Sequence, residues 1–599
     1  MFLQSSTSLS ADKTKRKYET NDYSVCLRSR ATGLWLPHNW ENKKFERVQS
    51  GSCDEQNSKQ TSDTSKTIKE DEDIRIYAAI AFAFLLIVVG LPLWWKTTEV
   101  YRVHVPYGRI DDLREAEIMF PMSITVFSKS IYRANLIHEH WMNTTLVGNG
   151  IIKVDYKVDT SVDLDKALTS HSLEELDALD LFPNKAGHIY LVEVPEMHRF
   201  TAKHVVVGSK RVIYFSQKAG PKTLVTLLDQ WILRSEALVR TKAIIEAPNE
   251  WSRDRTGRRR MPPAAQYDLM FSMVHPEPEK RDVKWNIRQA ITDYCGALLE
   301  YLSPVITFHI KSQWLYSVRL EGRPRQVQQE SQTWYSLPED VLPHIITPLE
   351  KKLGSGVSEH PTIQLVLYIP PCQISPLYIT SSQPQVPPST AFLSPRWGGV
   401  QIFNPPLSLC GNGEKESPWL NSAAIMNTFK MQLKLLIGIP ELDKIDGVEQ
   451  LPLPASGIRD WEMDSLMRIR ATEHLVSARI TLKSLAQLLD EISNIVINDE
   501  VGDRIWEAIL KSHESINKIL EHNLMDGYNL SKQAFLAAET AFSDPSLLAL
   551  LYFPEDQKYA VYIPLFLPVM IPVLMSLKSI RSWWISGALQ TSGSKLKNE

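Results

Sequence analysis

Cysteine is the residue type whose spacing most needs weighing for chemistry in this 599-residue sequence. Five are present: Cys26, Cys53, Cys295, Cys372 and Cys410. Cys295 follows Tyr294 inside an amphipathic pattern and reads as a packed thiol. Cys372 follows Pro370 and Pro371 in a loop, and Cys410 stands in "LSLCGNG". Neither has a local nucleophile signature, and free cysteines of this kind are usually packed and inert. The pair His138 and His140 in "HEH" would face one metal ion if the segment were a strand, but no third ligand is recognisable nearby. Asp111 and Asp112 have no spacing that marks acid–base work. "RDRTGRRR" (Arg253–Arg260) is the strongest basic patch. Its guanidinium groups suit phosphate or an acidic surface, although a solvated loop is the simpler reading. The sequence has no G-x-S-x-G, H-E-x-x-H, C-x-x-C, P-loop or G-x-G-x-x-G pattern. No cofactor or metal is expected, and a net charge of −3 argues against a nucleic-acid binder.

The elements around these residues begin with two apolar runs. Ile76–Trp95 carries no charge and ends in Trp94, Trp95 and Lys96. As a helix it would span about 30 Å, the hydrocarbon thickness of a bilayer, with the indoles at headgroup level. Arg75, at its mouth, is a candidate partner for an anionic lipid headgroup. Tyr559–Leu577 is the second run, with Pro564, Pro568 and Pro572 on one stripe. Prolines survive in a membrane helix where neighbouring helices satisfy the freed carbonyls, so this run suits packing against partner spans. Before it lies Lys558, and after it lie Lys578, Arg581, Lys595 and Lys597. The excess of positive charge after the run predicts a cytosolic C-terminus and, by parity, a cytosolic N-terminus. The sequons at Asn143 (with Thr145) and Asn529 (with Ser531) then fall on the lumenal side as glycosylation candidates. Lys595 and Lys597, in the terminal "KLKNE", resemble a dilysine retrieval address of endoplasmic-reticulum residents.

These features divide the chain into six stretches: residues 1–75, a disordered cytosolic arm; 76–95, a transmembrane helix; 97–455, a lumenal α/β domain; 456–545, a lumenal helical segment; 559–577, a second transmembrane helix; and 578–599, a cytosolic tail. The α/β expectation rests on β-branched and aromatic runs bounded by Pro, Gly and polar clusters. They are Met122–Phe127, Ile151–Val158, His188–Val194, Arg211–Phe215, Tyr267–Val274, Val305–Ile310, Thr362–Ile369 and Gly399–Phe403. Helical patterns from Lys222 and Trp285 interrupt them, which predicts a mixed sheet with packed helices. From about Gly457 the periodicity predicts three long antiparallel helices, packed on the sheet domain or forming a stalk.

Read together and in this order, "GLPLWWKTTEVYR" (Gly90–Arg102), "SPLYI" (Ser375–Ile379), "SPRWGG" (Ser394–Gly399), "SLAQLLDEISNIVI" (Ser484–Ile497) and "DPSLLALLYFPEDQKYAVYIPLFLP" (Asp544–Pro568) resemble one family. It is the S subunit of the glycosylphosphatidylinositol (GPI) transamidase, the phosphatidylinositol-glycan class S proteins, over roughly residues 74–580. The resemblance implies a non-catalytic subunit of the endoplasmic-reticulum membrane with two spans. Its partners would be membrane lipids and other transamidase subunits, including a cysteine-protease-like catalytic subunit that carries the thiol. No catalytic residue carries over. "SPRWGG" itself reads as a structural turn, with Gly398 and Gly399 giving backbone freedom. Two alternatives stay open: an independent lumenal thiol-dependent hydrolase or transferase using Cys372 or Cys410, and a scaffold of another endoplasmic-reticulum membrane complex.

Overall fold

The computed structural model describes residues 71, 74–99, 101–143, 150–159, 168, 171–179, 181–194, 204–246, 259–281, 283–329, 332–354, 358–381, 387–410, 419–492, 495–547 and 555–595. The chain forms two compact units, one from Met1–Val88 with Met570–Glu599 and one from Val89–Val569.

In the larger unit the first sheet contains β1 (Phe120–Phe127), β2 (Ile152–Asp159), β3 (His188–Glu193), β4 (Val205–Val207) and β5 (Val212–Phe215). A sixth strand, β14 (Val448–Gln450), joins its edge, giving the order β14-β4-β5-β3-β1-β2. Successive side chains of a strand point to opposite faces, and here both faces are covered. Met122, Ile124, Val126, Ile189, Leu191 and Phe215 pack in one core with Ile137, Trp141, Leu228 and Trp231 from helices. Tyr190, Val192, Val206 and Tyr214 fill a second core with Leu168 and Leu176. Double coverage is why the inner strands β1, β3 and β5 read as nearly continuous apolar runs, whereas the edge strand β2 alternates with charge.

The second sheet contains β6 (Gln266–His275), β7 (Thr307–Tyr316), β10 (Thr362–Tyr368), β12 (Ala391–Ser394) and β13 (Gly398–Ile402), in the order β12-β13-β10-β6-β7. Leu269, Phe271, Met273, Ile363, Leu365 and Leu367 face a helical layer that includes Leu298, Phe429 and Leu466. On the other face, Val274, Val366, Tyr368 and Val400 meet Ile345 and Leu349. A small sheet of β8 (Arg325–Gln329), β9 (Gln332–Pro338) and β11 (Leu377–Thr380) contributes Leu337 and Leu377 to this second face.

The two main sheets repeat one topology. In the first, β1 pairs parallel with β2 and β3, β3 pairs parallel with β5, and β4 returns antiparallel to β5. In the second, β6 pairs parallel with β7 and β10, β10 pairs parallel with β13, and β12 lies antiparallel to β13. A helical crossover links β1 to β2 (Ile131–Asn143) and β6 to β7 (Ile287–Leu302), and a helix follows each antiparallel pair. The second half carries β8, β9 and the Leu342–Glu350 helix as an insertion between β7 and β10.

Two helical patterns are broken where continuous helices were expected. From Pro221 the chain is α-helical to Leu227, forms a π-helical turn over Leu228–Leu233, and reverses at Arg234, whose φ is 52°. The Ser235–Glu246 helix then starts on a new axis. The Trp285 pattern likewise becomes Ile287–Ala290, a π turn Ile291–Cys295, and Gly296–Leu302. Extra residues in a π turn shift the apolar stripe, a device periodicity alone does not reveal.

Three helices close the larger unit: Asp460–Glu491, Asp499–Leu520 and Leu524–Phe542. The first connects the cores. Trp461 packs in the first sheet's core, Leu466 to Val476 in the second sheet's core, and Ala478 to Leu489 in a helical core with Val105, Ile110, Leu113, Ile505 and Ala538. At the start of the unit, Tyr101–Val103 is stitched to the turn between the first two helices: Val103 N donates to Ile497 O at 3.1 Å, and Ile497 N donates to Tyr101 O at 3.2 Å.

Residues 74–85 are helical, a π turn occupies Leu86–Gly90, and Leu91–Thr98 is α-helical. Glu555–Lys595 forms one 41-residue helix. Among the described residues no helix is long and apolar enough to cross a membrane. The π turn divides the first apolar run into two short helices, and the side chains at 561, 562, 565 and 569 lie outside those described in the last. Both elements nevertheless present large apolar side chains: Phe82, Phe84, Leu85 and Ile87 in one, and Ile563, Phe566, Ile571 and Met575 in the other.

Candidate functional site

Among the described residues, those singled out for chemistry do not assemble into one reactive site. Cys372 and Cys410 form a disulfide with Cα atoms 5.7 Å apart, within the ordinary range for such bonds. This overturns the alternative in which either acts as a nucleophile, because the attacking species is a thiolate. Cys295 is the remaining described cysteine: it is 2% exposed, with Sγ 3.9 Å from Met426 Sδ, and burial pushes its thiol up to about 11. At neutral pH it stays protonated and acts as core.

His138 and His140 lie on the Ile131–Asn143 helix and not on a strand. Side chains two apart on a helix diverge by about 200°, so the pair does not face one ion. The His138 ring stacks on Tyr156 with centroids 4.6 Å apart. Among the described residues no cluster of three His, Cys, Asp or Glu suits a metal. Asp111 and Asp112 are exposed on the Tyr107–Glu115 helix. Of the basic run, residues 253–258 lie outside the described residues. Its last member, Arg260, belongs to the interior, where it pairs with Glu473 at 2.9 Å.

Arg75 is exposed on its helix. Asn143 is exposed and closes the Ile131–Asn143 helix, with Thr145 outside the described residues. Asn529 is half-buried within the Leu524–Phe542 helix, and Ser531 of its sequon is buried, donating to Tyr528 O at 2.6 Å. Lys595 ends the Glu555–Lys595 helix, and Lys597 lies outside the described residues. In "SPRWGG" the turn between β12 and β13 places Arg396 at φ 57° and buries Trp397. Gly398 and Gly399 are needed for close approach and not for backbone freedom: a Cβ on the first would overlap the backbone of Gln364, and on the second the amide of Gln432.

The polar cluster that sequence reasoning missed lies inside the molecule, along the first turns of the Asp460–Glu491 helix. Arg211, just ahead of β5, grips Asp464 through Nε and Nη2, both at 2.6 Å, and lies 3.7 Å from Asp460. Burial alone would lower the Arg211 guanidinium; its bonds and charge contact with Asp464 hold it above its ordinary range. Arg468 donates to Ile232 O at 2.5 Å. Arg470 bonds Glu473 at 3.0 Å and Ile437 O at 2.8 Å, and Lys434 lies 3.7 Å from Glu462. His474 is buried beside Ser531 and the Tyr528 and Phe535 rings. Burial first, then the Arg470 and Lys532 charges, push it down to about 3. Buried charges need partners of this quality to be tolerated, and these partners tie the edge of β5 in the first sheet, the Leu228–Leu233 turn and the Ser422–Ile437 helix to one helix. The segment "RDWEMDSLMRIRATEH" mixes charged and apolar residues around the whole helix, so no simple periodic stripe marks its burial.

An open cleft of about 490 Å³ is lined by His104, Tyr107, Arg109, Asp112 and Trp506 among others. It holds no thiol, and no pair of groups in it has the hydrogen-bonded geometry of a nucleophile and its base.

Comparison with known proteins supplies what the geometry lacks. A family model described as phosphatidylinositol-glycan biosynthesis class S protein matches residues 81–587. The chain is 34% identical over 538 residues to the GPI-anchor transamidase component PIGS of Bos taurus, covering 84% of this chain and 96% of that protein. It is 32% identical over 548 residues to the protein of that name in Homo sapiens, with the same two coverages. It is also 24% identical over 509 residues to the GPI transamidase component PIG-S homolog of Schizosaccharomyces pombe, covering 83% and 82%.

Proposed function

Because the chain belongs to the phosphatidylinositol-glycan class S family, we propose that it works as a structural, non-catalytic subunit of the GPI transamidase, the complex that attaches GPI anchors to the C-terminus of proproteins. The observation that carries this is the collinear match over 84% of the chain to relatives named as components of that enzyme. The catalytic cysteine belongs to another, cysteine-protease-like subunit. In support, two of this chain's thiols are joined to each other and a third is buried and protonated.

The subunit resides in the endoplasmic-reticulum membrane. Ile76–Trp95 and Tyr559–Leu577 span it, both ends are cytosolic, and the α/β and helical regions are lumenal. The exposed apolar side chains on both helices support this reading, since a soluble surface seldom carries so many together. Arg75 meets lipid headgroups at the cytosolic face. Asn143, exposed at a helix end, and Asn529 are the glycosylation candidates. Lys595 and Lys597 form the retrieval address.

The test is complementation. In cells lacking their own class S subunit, this chain should restore surface display of GPI-anchored proteins, and a Cys295→Ala variant should restore it equally. Failure of the unmodified chain to restore display, despite normal expression, would contradict the assignment. Loss of rescue on replacing Cys295, with folding intact, would contradict the non-catalytic role.

A further inference from the structure

We propose that the outer edge of β7 is a docking site for a β-strand contributed by another transamidase subunit, an inference that rests on the subunit reading above. β7 is ten residues long and closes the second sheet. One side pairs with β6 over its whole length, in an unbroken register from Gln266↔Thr307 to His275↔Tyr316. On the other side, no backbone group of β7 bonds any described residue. A bare edge is a template for another strand, and proteins guard such edges with charges, prolines, bulges or a covering element. β7 has no proline and no bulge, and its one lysine, Lys311, is turned onto Asp268 of β6.

The repeated topology supplies an internal control, because β2 holds the equivalent edge position in the first sheet. There the guards are present. Lys153, Asp155 and Lys157 alternate along the exposed face, with Lys157 and Asp155 paired at 3.1 Å. The opposite face is covered by the Ile131–Asn143 helix, to which Tyr156 donates a hydrogen bond at Ala134 O, 2.7 Å away. At the same position β7 shows Ile310, Trp314 and Tyr316 at 50%, 42% and 54% exposure. An edge guarded in one copy of the fold and bare in the other is an edge the assembled protein covers.

The two faces of β7 state what the occupant must be. Ile310 and Trp314 stand beside Leu269 and Met273 in register, so they continue the buried apolar face of the sheet outward. His309 and Gln313 turn the other way and bond Gln266 at 2.8 Å and Ser272 at 2.9 Å. The partner is therefore an extended segment of up to about ten residues, apolar at alternate positions on the Trp314 side and polar on the other.

The experiment uses the full-length chain in cells. With Trp314→p-benzoylphenylalanine, an aromatic replacement at an exposed position, irradiation should join β7 to another transamidase subunit. Amide exchange along Thr307–Tyr316 should be slower in the assembled complex than in the free chain. An Ile310→Lys/Trp314→Lys variant should recover the other subunits about tenfold less well, the loss expected when exposed interface anchors are replaced. A Lys153→Glu variant on β2 should recover them normally. Photo-adducts only to a second copy of this chain, no adduct at all, or full recovery by the double-lysine variant would overturn the proposal while leaving the subunit reading intact. If the unmodified chain recovers no transamidase subunit, both fall.

Discussion

Removing the carboxylate of Asp464 should be among the most damaging single changes in the interior. Asp464 is 1% exposed and receives two guanidinium hydrogen bonds from Arg211, each at 2.6 Å. In Asp464→Ala the Arg211 guanidinium stays buried, with Asp460 at 3.7 Å as its remaining anionic neighbour. Breaking a buried pair by deleting one partner costs about 3–5 kcal/mol, and the remaining neighbour puts this case near the lower end. At ~2.1 cal/mol/K per residue, a unit the size of Val89–Val569 has an unfolding entropy of about 1 kcal/mol/K, so 3 kcal/mol lowers Tm by about 3 °C. Tryptophan fluorescence during heating in mild detergent reads this well. Trp461 lies on the same helix, is 1% exposed, and donates to Gly208 O at 3.1 Å. An Arg211→Met/Asp464→Leu double variant should lose less than Asp464→Ala, because neither charge is then stranded. A single variant within 1 °C of the parent, or a double variant worse than the single, would refute the reasoning.

Three further outcomes follow from the same structure. His474 is pushed down to about 3, so the unfolded chain binds a proton there that the folded chain does not; stability contributed above pH 6.5 is lost as pH falls, by about 2 kcal/mol between pH 7 and 5. Denaturation midpoints across that range should show a shallower pH dependence in His474→Phe. Cys372→Ser should cost up to about 4 kcal/mol, the chain-entropy value for a disulfide across 38 positions, and reductant should destabilise the parent but not the variant. Gly398→Ala should cost about 2–3 kcal/mol because its Cβ meets the Gln364 backbone, whereas alanine at Gly296, where a Cβ meets open space, should be neutral or stabilising.

How far the fold could be read depended on how locally it is encoded. The sheet strands announced themselves where parallel pairing buries both faces, as in Met122–Phe127 and Thr362–Ile369. β4, β8 and β14 did not: they are three to five residues long, and β8, "RQVQQ", is mostly polar. Without β4 and β12 the repeated topology stays hidden, because the antiparallel pair in each half is what makes the halves match. The helix that holds "HEH" is not legible from the motif itself, since three residues cannot distinguish period 2 from period 3.6. The Cys372–Cys410 bond depends on contacts between segments 38 positions apart, which spacing does not reveal. The buried charged seam was hidden for a related reason: partners such as Arg211 and Asp464 are far apart in sequence. The family was legible from five sequence blocks, and the match over residues 81–587 agrees with them.

The central claim is membership of a working transamidase complex, and co-purification tests it most directly. Tagged full-length chain, extracted in a mild detergent and analysed by mass spectrometry, should bring down a cysteine-protease-like subunit together with multi-span membrane partners. A chain recovered alone, or with unrelated membrane proteins, would contradict the account.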